Sequence, residues 1–141
     1  MKYTKIRVGA LIYDKNLEAI LLLYRYHYGS EYYCSVGGTV EDGEDLLDSI
    51  KREVFEEVNL QIKDPKLIFE YDHDKYKGQH EVFFLVDTFA GEIKLGQPEL
   101  DRLSPNNIFK PTWIKYAEIS KIKLLPPQLK SWVLNNLSVL K

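Results

Sequence analysis

The chain predicts an α/β (α+β) fold, a mixed sandwich of strands and helices, on three observations. Short stretches of alternating apolar residues recur through both halves of the sequence. One long amphipathic helical pattern stands among them near residues 44–58. A second helical pattern, opened by Pro126-Pro127, lies close to the C-terminus.

Tyr3–Tyr13 alternates as a strand, with Ile6, Val8, Ala10 and Ile12 on one side, and Ala19–Tyr26 reads as a second strand. Asp14-Lys15-Asn16 supplies the turn between them. Glu31–Val36 is a short third strand that leads into a loop carrying Gly37 and Gly38. The main helix is expected from Glu44 to Val58, with acidic residues in its first turn, where the helix dipole favours them. Leu60–Tyr71 is a strand interrupted at Asp64-Pro65, and Gln79–Phe89 is strongly apolar. Ala90–Asn107, with Gly91, Gly96, Pro98 and Pro105, reads largely as loop. Pro111–Ile114 is a brief strand. Pro126–Leu137 places Leu129, Trp132, Val133 and Leu137 on one helical face.

The main helix carries the chemistry. Leu46, Leu47, Ile50, Val54 and Val58 form one apolar stripe at 100° per residue. Glu57 falls inside that stripe and Glu53 at its edge, while Glu56 lies further toward the polar side. Carboxylates at 53, 56 and 57 stand i, i+3, i+4, so they repel one another on the helix surface. An unpaired carboxylate turned toward a core costs several kcal/mol or takes up a proton. A divalent cation is the simplest group that offsets both costs. The donors are hard oxygens, which suit Mg²⁺ or Mn²⁺. His27, His73 and His80 have no close metal-ligand spacing. The competing reading is a charged amphipathic helix with solvated glutamates.

The segment from Gly38 to Leu60 resembles the Nudix box: Gly, any five, Glu, any seven, Arg-Glu, apolar, any, Glu-Glu, any, Gly, apolar. Gly38, Glu44, Arg52, Glu53, Val54, Glu56, Glu57 and Leu60 stand in register. Chance would produce such a match about once in a million chains of this size. Asn59 replaces the last glycine of the box; it is the next-best residue for a left-handed position past a helix end. Val36 stands where many members have proline.

The resemblance implies a mixed sheet between helices with the box at one end of the sheet, an α/β/α sandwich. It also implies attack by water on a phosphoanhydride of a nucleoside diphosphate linked to a group X. Carried over residue by residue, Glu53, Glu56 and Glu57 are implied metal ligands, with Gly37 or Gly38 offering a backbone carbonyl. Arg52 would hold a glutamate in place, with Glu44 as a partner. The base is one of the box glutamates or a carboxylate from a later loop. Glu99 is the candidate there and Asp101 a weaker one, each against the reading of an exposed loop acid. Arg25 reads equally as a phosphate ligand or a surface arginine. Gln128, after Pro126-Pro127, resembles a residue near the base pocket of mutator-type members. Ten tyrosines, five of them at 24, 26, 28, 32 and 33, are candidates for base stacking, although strand tyrosines more often pack.

The 141 residues are expected to form one domain, residues 1–141. A net charge of −2 gives no electrostatic case for a nucleic-acid polymer or an anionic membrane as partner. The apolar runs Ala19–Leu23 and Val82–Val86 are too short to cross a bilayer, and Met1–Thr4 shows no secretory signal. The single Cys34 excludes an internal disulfide and fits a reducing cytoplasm; a buried strand residue is the preferred reading over a reactive thiol. The expectation is therefore a cytoplasmic Mg²⁺-dependent pyrophosphohydrolase of a small nucleotide. Its leading substrate is a nucleoside triphosphate, oxidised or not, cut to the monophosphate and pyrophosphate. ADP-ribose, a nucleotide sugar or a dinucleoside polyphosphate is the enzymatic alternative, and a nucleotide sensor the non-enzymatic one. A homodimer is compatible with the sequence.

Overall fold

The computed structural model describes residues 3–140. Strands β1 (Lys5–Asp14) and β2 (Ala19–His27) are joined by a turn in which the Asp14 carboxylate accepts the Asn16 and Leu17 amides (2.8 and 3.1 Å). Then follow β3 (Ser30–Cys34), β4 (Val36–Thr39), helix α1 (Leu46–Val58), β5 (Gln61–Lys63), β6 (Lys66–Asp72), β7 (Gln79–Val86) and β8 (Thr88–Ala90). The chain closes with β9 (Asn107–Lys115), β10 (Leu124–Leu125), α2 (Pro127–Asn135) and α3 (Leu137–Leu140).

The main sheet runs β10-β3-β2-β1-β7-β6, with β4 added on β1 and β9 on β2; β5 and β8 form a separate pair. It is mixed, because β1 and β7 are parallel while β1–β2, β1–β4, β2–β9 and β6–β7 are antiparallel. Alternation along β1 and β2 sends side chains to two cores. Val8, Ala10, Ile12 and Leu21 pack with Ile50, Val54 and Val58 of α1, and Trp113 joins them. Leu11, Tyr13, Ile20 and Leu22 pack with Leu129 and Val133 of α2, joined by Trp132.

Four expectations are corrected. Gly37 and Gly38 lie on strand β4, paired with Gly9 and Val8 of β1, and not in a loop. A strand with no side chains there lets α1 approach closely; a Cβ on Gly38 would occupy the place of the Glu53 carboxylate. Helix α1 starts at Leu46, because Asp45 caps it by accepting the Asp48 amide (2.8 Å). Leu47 is exposed and lies off the buried stripe, where Ser49 takes its place. The brief strand at Pro111–Ile114 is nine residues long; β9 bonds only along its β2 side, a position that tolerates Pro111.

Asn59 ends α1 in the left-handed region (φ 64°), and its side-chain amide donates to the Glu92 carbonyl (2.9 Å). Asn59→Ala should therefore lower stability by about 1–2 kcal/mol, whereas Asn59→Gly should stay within about 0.5 kcal/mol; thermal denaturation of the two variants checks this.

Candidate active site

Helix α1 and strand β4 together build a cleft of about 460 Å³. Its most connected side chain is Arg52. The guanidinium grips Glu44 with two bonds (Nε to Oε2 2.6 Å, Nη2 to Oε1 2.9 Å), and Nη2 also donates to the Thr39 carbonyl (3.1 Å). Its Nη1 donates to Glu53 (2.8 Å) and Glu56 (3.1 Å). The Arg52 bond, joined by the Glu41 amide, holds the Glu44 carboxyl down at about 2. The same bond to Glu44 raises Arg52 above its ordinary value.

Glu57 is the most buried of the acids. Its Oε1 accepts the Gly37 amide (2.9 Å), a bond available only because β4 runs past the last turn of α1. Burial pushes its carboxyl up to about 8; the Gly37 bond and Arg7 oppose this, and the charges of Glu99 and Glu53 add to it. Burial also raises Glu53, against the pull of Arg52. Glu56 is about half exposed, at 49%, as expected for the polar side of the helix.

The loop after β8 folds onto the end of α1. Its Lys94 and Gly96 amides donate to the Val58 and Glu57 carbonyls (3.0 and 2.9 Å), which the helix leaves without intrahelical partners. Gly96 lies so close to the Glu56 carbonyl that a Cβ there would overlap it. This seating brings Glu99 into the cleft. Asp101 does not line it.

Of the residues singled out in the sequence, Gly37, Gly38, Arg52, Glu53, Glu56, Glu57 and Glu99 meet in this cleft. Arg25 and Gln128 are not among the residues lining it. Arg25 Nη1 donates to Asn107 Oδ1 (3.0 Å) and the Ile108 carbonyl (2.8 Å), and its guanidinium lies 3.7 Å over the Phe109 ring. Gln128 sits in the first turn of α2, behind β10, which pairs with β3 at Tyr33 and Cys34. Burial, with help from Glu57, pushes the Cys34 thiol up to about 12, so it is no nucleophile at neutral pH. Arg7 lines the cleft and was not foreseen; its Nη1 donates to Thr39 Oγ1 (3.2 Å). It read as an ordinary polar residue of an alternating strand, and only the β1–β4 pairing brings it beside the glutamates.

Glu41, Glu53, Glu56, Glu57 and Glu99 line the cleft against the two guanidinium groups of Arg7 and Arg52. The surplus of hard, negative oxygen donors fits a divalent cation in charge and kind. Among the described residues, no three acidic, His or Cys side chains form a closed cation cage, since Glu53 and Glu56 lean onto Arg52 and Glu57 onto Gly37. Binding by Glu53, Glu56 and Glu57 therefore calls for side-chain rotation about a fixed backbone.

The NUDIX domain model matches residues 4–135. This chain belongs to the NUDIX family. The family's activity is pyrophosphohydrolysis at phosphoanhydride bonds, and divalent metal ions are its general cofactors. The NUDIX chain is 27% identical over 127 residues to the NAD-capped RNA hydrolase NudC of Photorhabdus laumondii, covering 89% of this chain and 44% of that protein. It is 35% identical over 95 residues to the 8-oxo-dGTP diphosphatase of Buchnera aphidicola, covering 66% of this chain and 70% of that protein. The chain spans less than half the length of the NudC relatives it matches. Its fold superposes on a MutT structure described for Aliivibrio salmonicida and Vibrio cholerae with a TM-score of 0.72, 19% identity and coverage of 96% and 97%. Among the described residues, no helix is long and apolar enough to cross a membrane.

The folded, metal-free protein keeps a proton on Glu57 that the unfolded chain releases near 4.5. Glu57 therefore removes stability as pH rises from about 4.5 to about 8, by up to a few kcal/mol. His80 is also raised, because bonds to Glu70 and Asp72 outweigh its burial, so it too loses stability as pH rises. The difference between wild type and Glu57→Gln isolates the glutamate. In metal-free buffer, Glu57→Gln should melt higher than wild type at pH 8 and close to it at pH 5, and saturating Mg²⁺ should raise only the wild type.

Proposed function

We propose that this chain is a Mg²⁺- or Mn²⁺-dependent pyrophosphohydrolase that cuts a nucleoside triphosphate to the monophosphate and pyrophosphate. The observation that carries the reading is Glu57, buried at the Gly37 amide beside Glu53, Glu56 and Glu99. A buried acid among like charges is retained at a cost, and a cation that holds a phosphate chain removes that cost. Similarity to the 8-oxo-dGTP diphosphatase over most of that protein's length supports a small nucleotide, an oxidised one included.

Glu53, Glu56 and Glu57 would hold the cation, with the backbone carbonyl of Gly38 as a further oxygen. When bound, such an ion neutralises the diphosphate and lowers the pKa of water. Arg52 acts through the glutamates: it fixes the Glu44 loop and sets the resting positions of Glu53 and Glu56. Arg7 supplies positive charge on the β1 side of the cleft, suited to a phosphate oxygen. Glu99, brought in by the loop bonded to α1, would accept the proton of the attacking water, a reading supported by its presence in the cleft. The oxygen of that water joins phosphorus, the bridging anhydride bond breaks, and pyrophosphate leaves. Arg25 and Gln128 lie outside the lining of this cleft, so the reading assigns them no part in the hydrolytic step.

Three NudC relatives favour a second reading, cleavage of a dinucleotide pyrophosphate. A sensor without activity is disfavoured, because every acid of the box is present.

A panel of nucleoside triphosphates, 8-oxo-dGTP, ADP-ribose, a nucleotide sugar, NAD and a dinucleoside polyphosphate separates these readings. Pyrophosphate, and not orthophosphate, is the expected product from a triphosphate. Preference for NAD would select the dinucleotide reading, and no turnover of any compound would leave the sensor. Arg52→Ala should lower kcat/KM by about 10–100-fold, and Glu56→Gln or Glu57→Gln by more. Unchanged rates in both glutamine variants would overturn the ligand assignment.

A further inference from the structure

Glu99 rides on a turn that the core does not hold. Leu100–Arg102 form a single 3₁₀ turn with no buried residue, and Leu100 and Leu103 are exposed. Apolar burial therefore cannot fix where Glu99 stands, and the turn depends on its hydrogen bonds. Its N-terminal end is tied to α1 by the Gly96 amide on the Glu57 carbonyl (2.9 Å). The Leu100 amide closes back on the Gly96 carbonyl (2.9 Å), and the Arg102 amide bonds to the Glu99 carbonyl (3.0 Å).

The other end is tied to the sheet by a side chain. Asn107, the first residue of β9, donates from Nδ2 to the Arg102 carbonyl (3.1 Å). Its backbone exchanges two bonds with Ser104 (3.0 and 3.1 Å). Its Oδ1 accepts from Arg25 Nη1 (3.0 Å). Arg25 is itself fixed by the Ile108 carbonyl and by the Phe109 ring under its guanidinium. One amide thus spends its oxygen on β2 and its nitrogen on the turn, and the bonds run from Arg25 through Asn107 and Arg102 to Glu99. A carboxylate in place of that amide would keep the first bond and lose the second.

We infer that Asn107, oriented by Arg25, is a positioning residue for Glu99. This rests on the reading that Glu99 accepts the proton of the attacking water, and it names what holds Glu99 there. Neither Arg25 nor Asn107 lines the cleft, so the pair acts through the turn and not on the substrate. A displaced base slows the chemical step and leaves ground-state binding as it was.

The test compares Asn107→Ala with Asn107→Asp, because the second keeps the Arg25 contact and removes only the donor to Arg102. Both should lower kcat about tenfold, with KM within about twofold of wild type. In a Glu99→Gln background Asn107→Ala should cause no further loss, since both changes act on one group. Amide hydrogen exchange, followed by NMR without substrate or metal, is a readout independent of turnover. Leu100 and Arg102 should exchange about tenfold faster in both variants, while Ile50 and Val54 of α1 keep wild-type rates and so show an intact fold. Unchanged exchange at the turn, a raised KM with kcat intact, or an equal kcat loss in the Glu99→Gln background would each overturn the inference. An inactive wild type sinks the pyrophosphohydrolase reading, and full kcat in Glu99→Gln sinks the role given to Glu99. Normal turnover in both Asn107 variants, with Glu99→Gln impaired, sinks the positioning role alone.

Discussion

The two-pronged contact between Arg52 and Glu44 is the constraint on which the site depends. Three carboxylates within five residues of one helix repel one another, and Arg52 is the cation that stands among them. By gripping Glu44 and the Thr39 carbonyl it also fastens the stretch after β4 to α1, across a sequence separation of 8 and 13 residues. Lysine could not replace it, since a single ammonium lacks the planar fork that serves Glu44, Thr39 and Glu53 together. Charge balance and backbone placement are thus one interaction.

From that contact the rest of the geometry is determined by close approach. Gly38 leaves room for the Glu53 carboxylate, and Gly37 offers its amide to Glu57. At the other end of α1, Gly96 allows the 94–99 loop to press on the helix terminus and satisfy its carbonyls. The helix is therefore held on two sides by backbone, and the glutamates move on a rigid frame. The cost is concentrated at Glu57, whose carboxyl faces the interior and whose ionised form is favoured by the Gly37 amide and by Arg7 against the effect of burial. A site in that condition is poised to take up positive charge.

Much of this was legible in the sequence, and the limits have physical causes. The i, i+3, i+4 acids and the apolar stripe are local features, set by helix periodicity, whereas the partnership of Arg52 with Glu44, which lies ahead of the helix, came from the family resemblance. The family and the mixed sandwich followed from the same segment and the strand spacing. The glycine pair was misread as a loop because glycine is more often a turn residue than a device for strand–helix contact. Leu47 was misplaced because a stripe drawn from hydrophobicity alone cannot see that Ser49 faces inward. Arg7 escaped notice because its position beside the acids depends on β1–β4 pairing, a contact between residues more than thirty apart. Arg25 and Gln128, conversely, were drawn in by their elements and left outside by the way β2 and α2 are placed.

The sheet carries one tryptophan on each side: Trp113 packs with the α1 core near Phe89, and Trp132 with the α2 core near Phe69. The molecule thus has a built-in pair of optical reporters, one per layer. Replacing either indole with phenylalanine leaves a single emitter, and comparing the two denaturation traces reveals whether the layers melt together or in sequence.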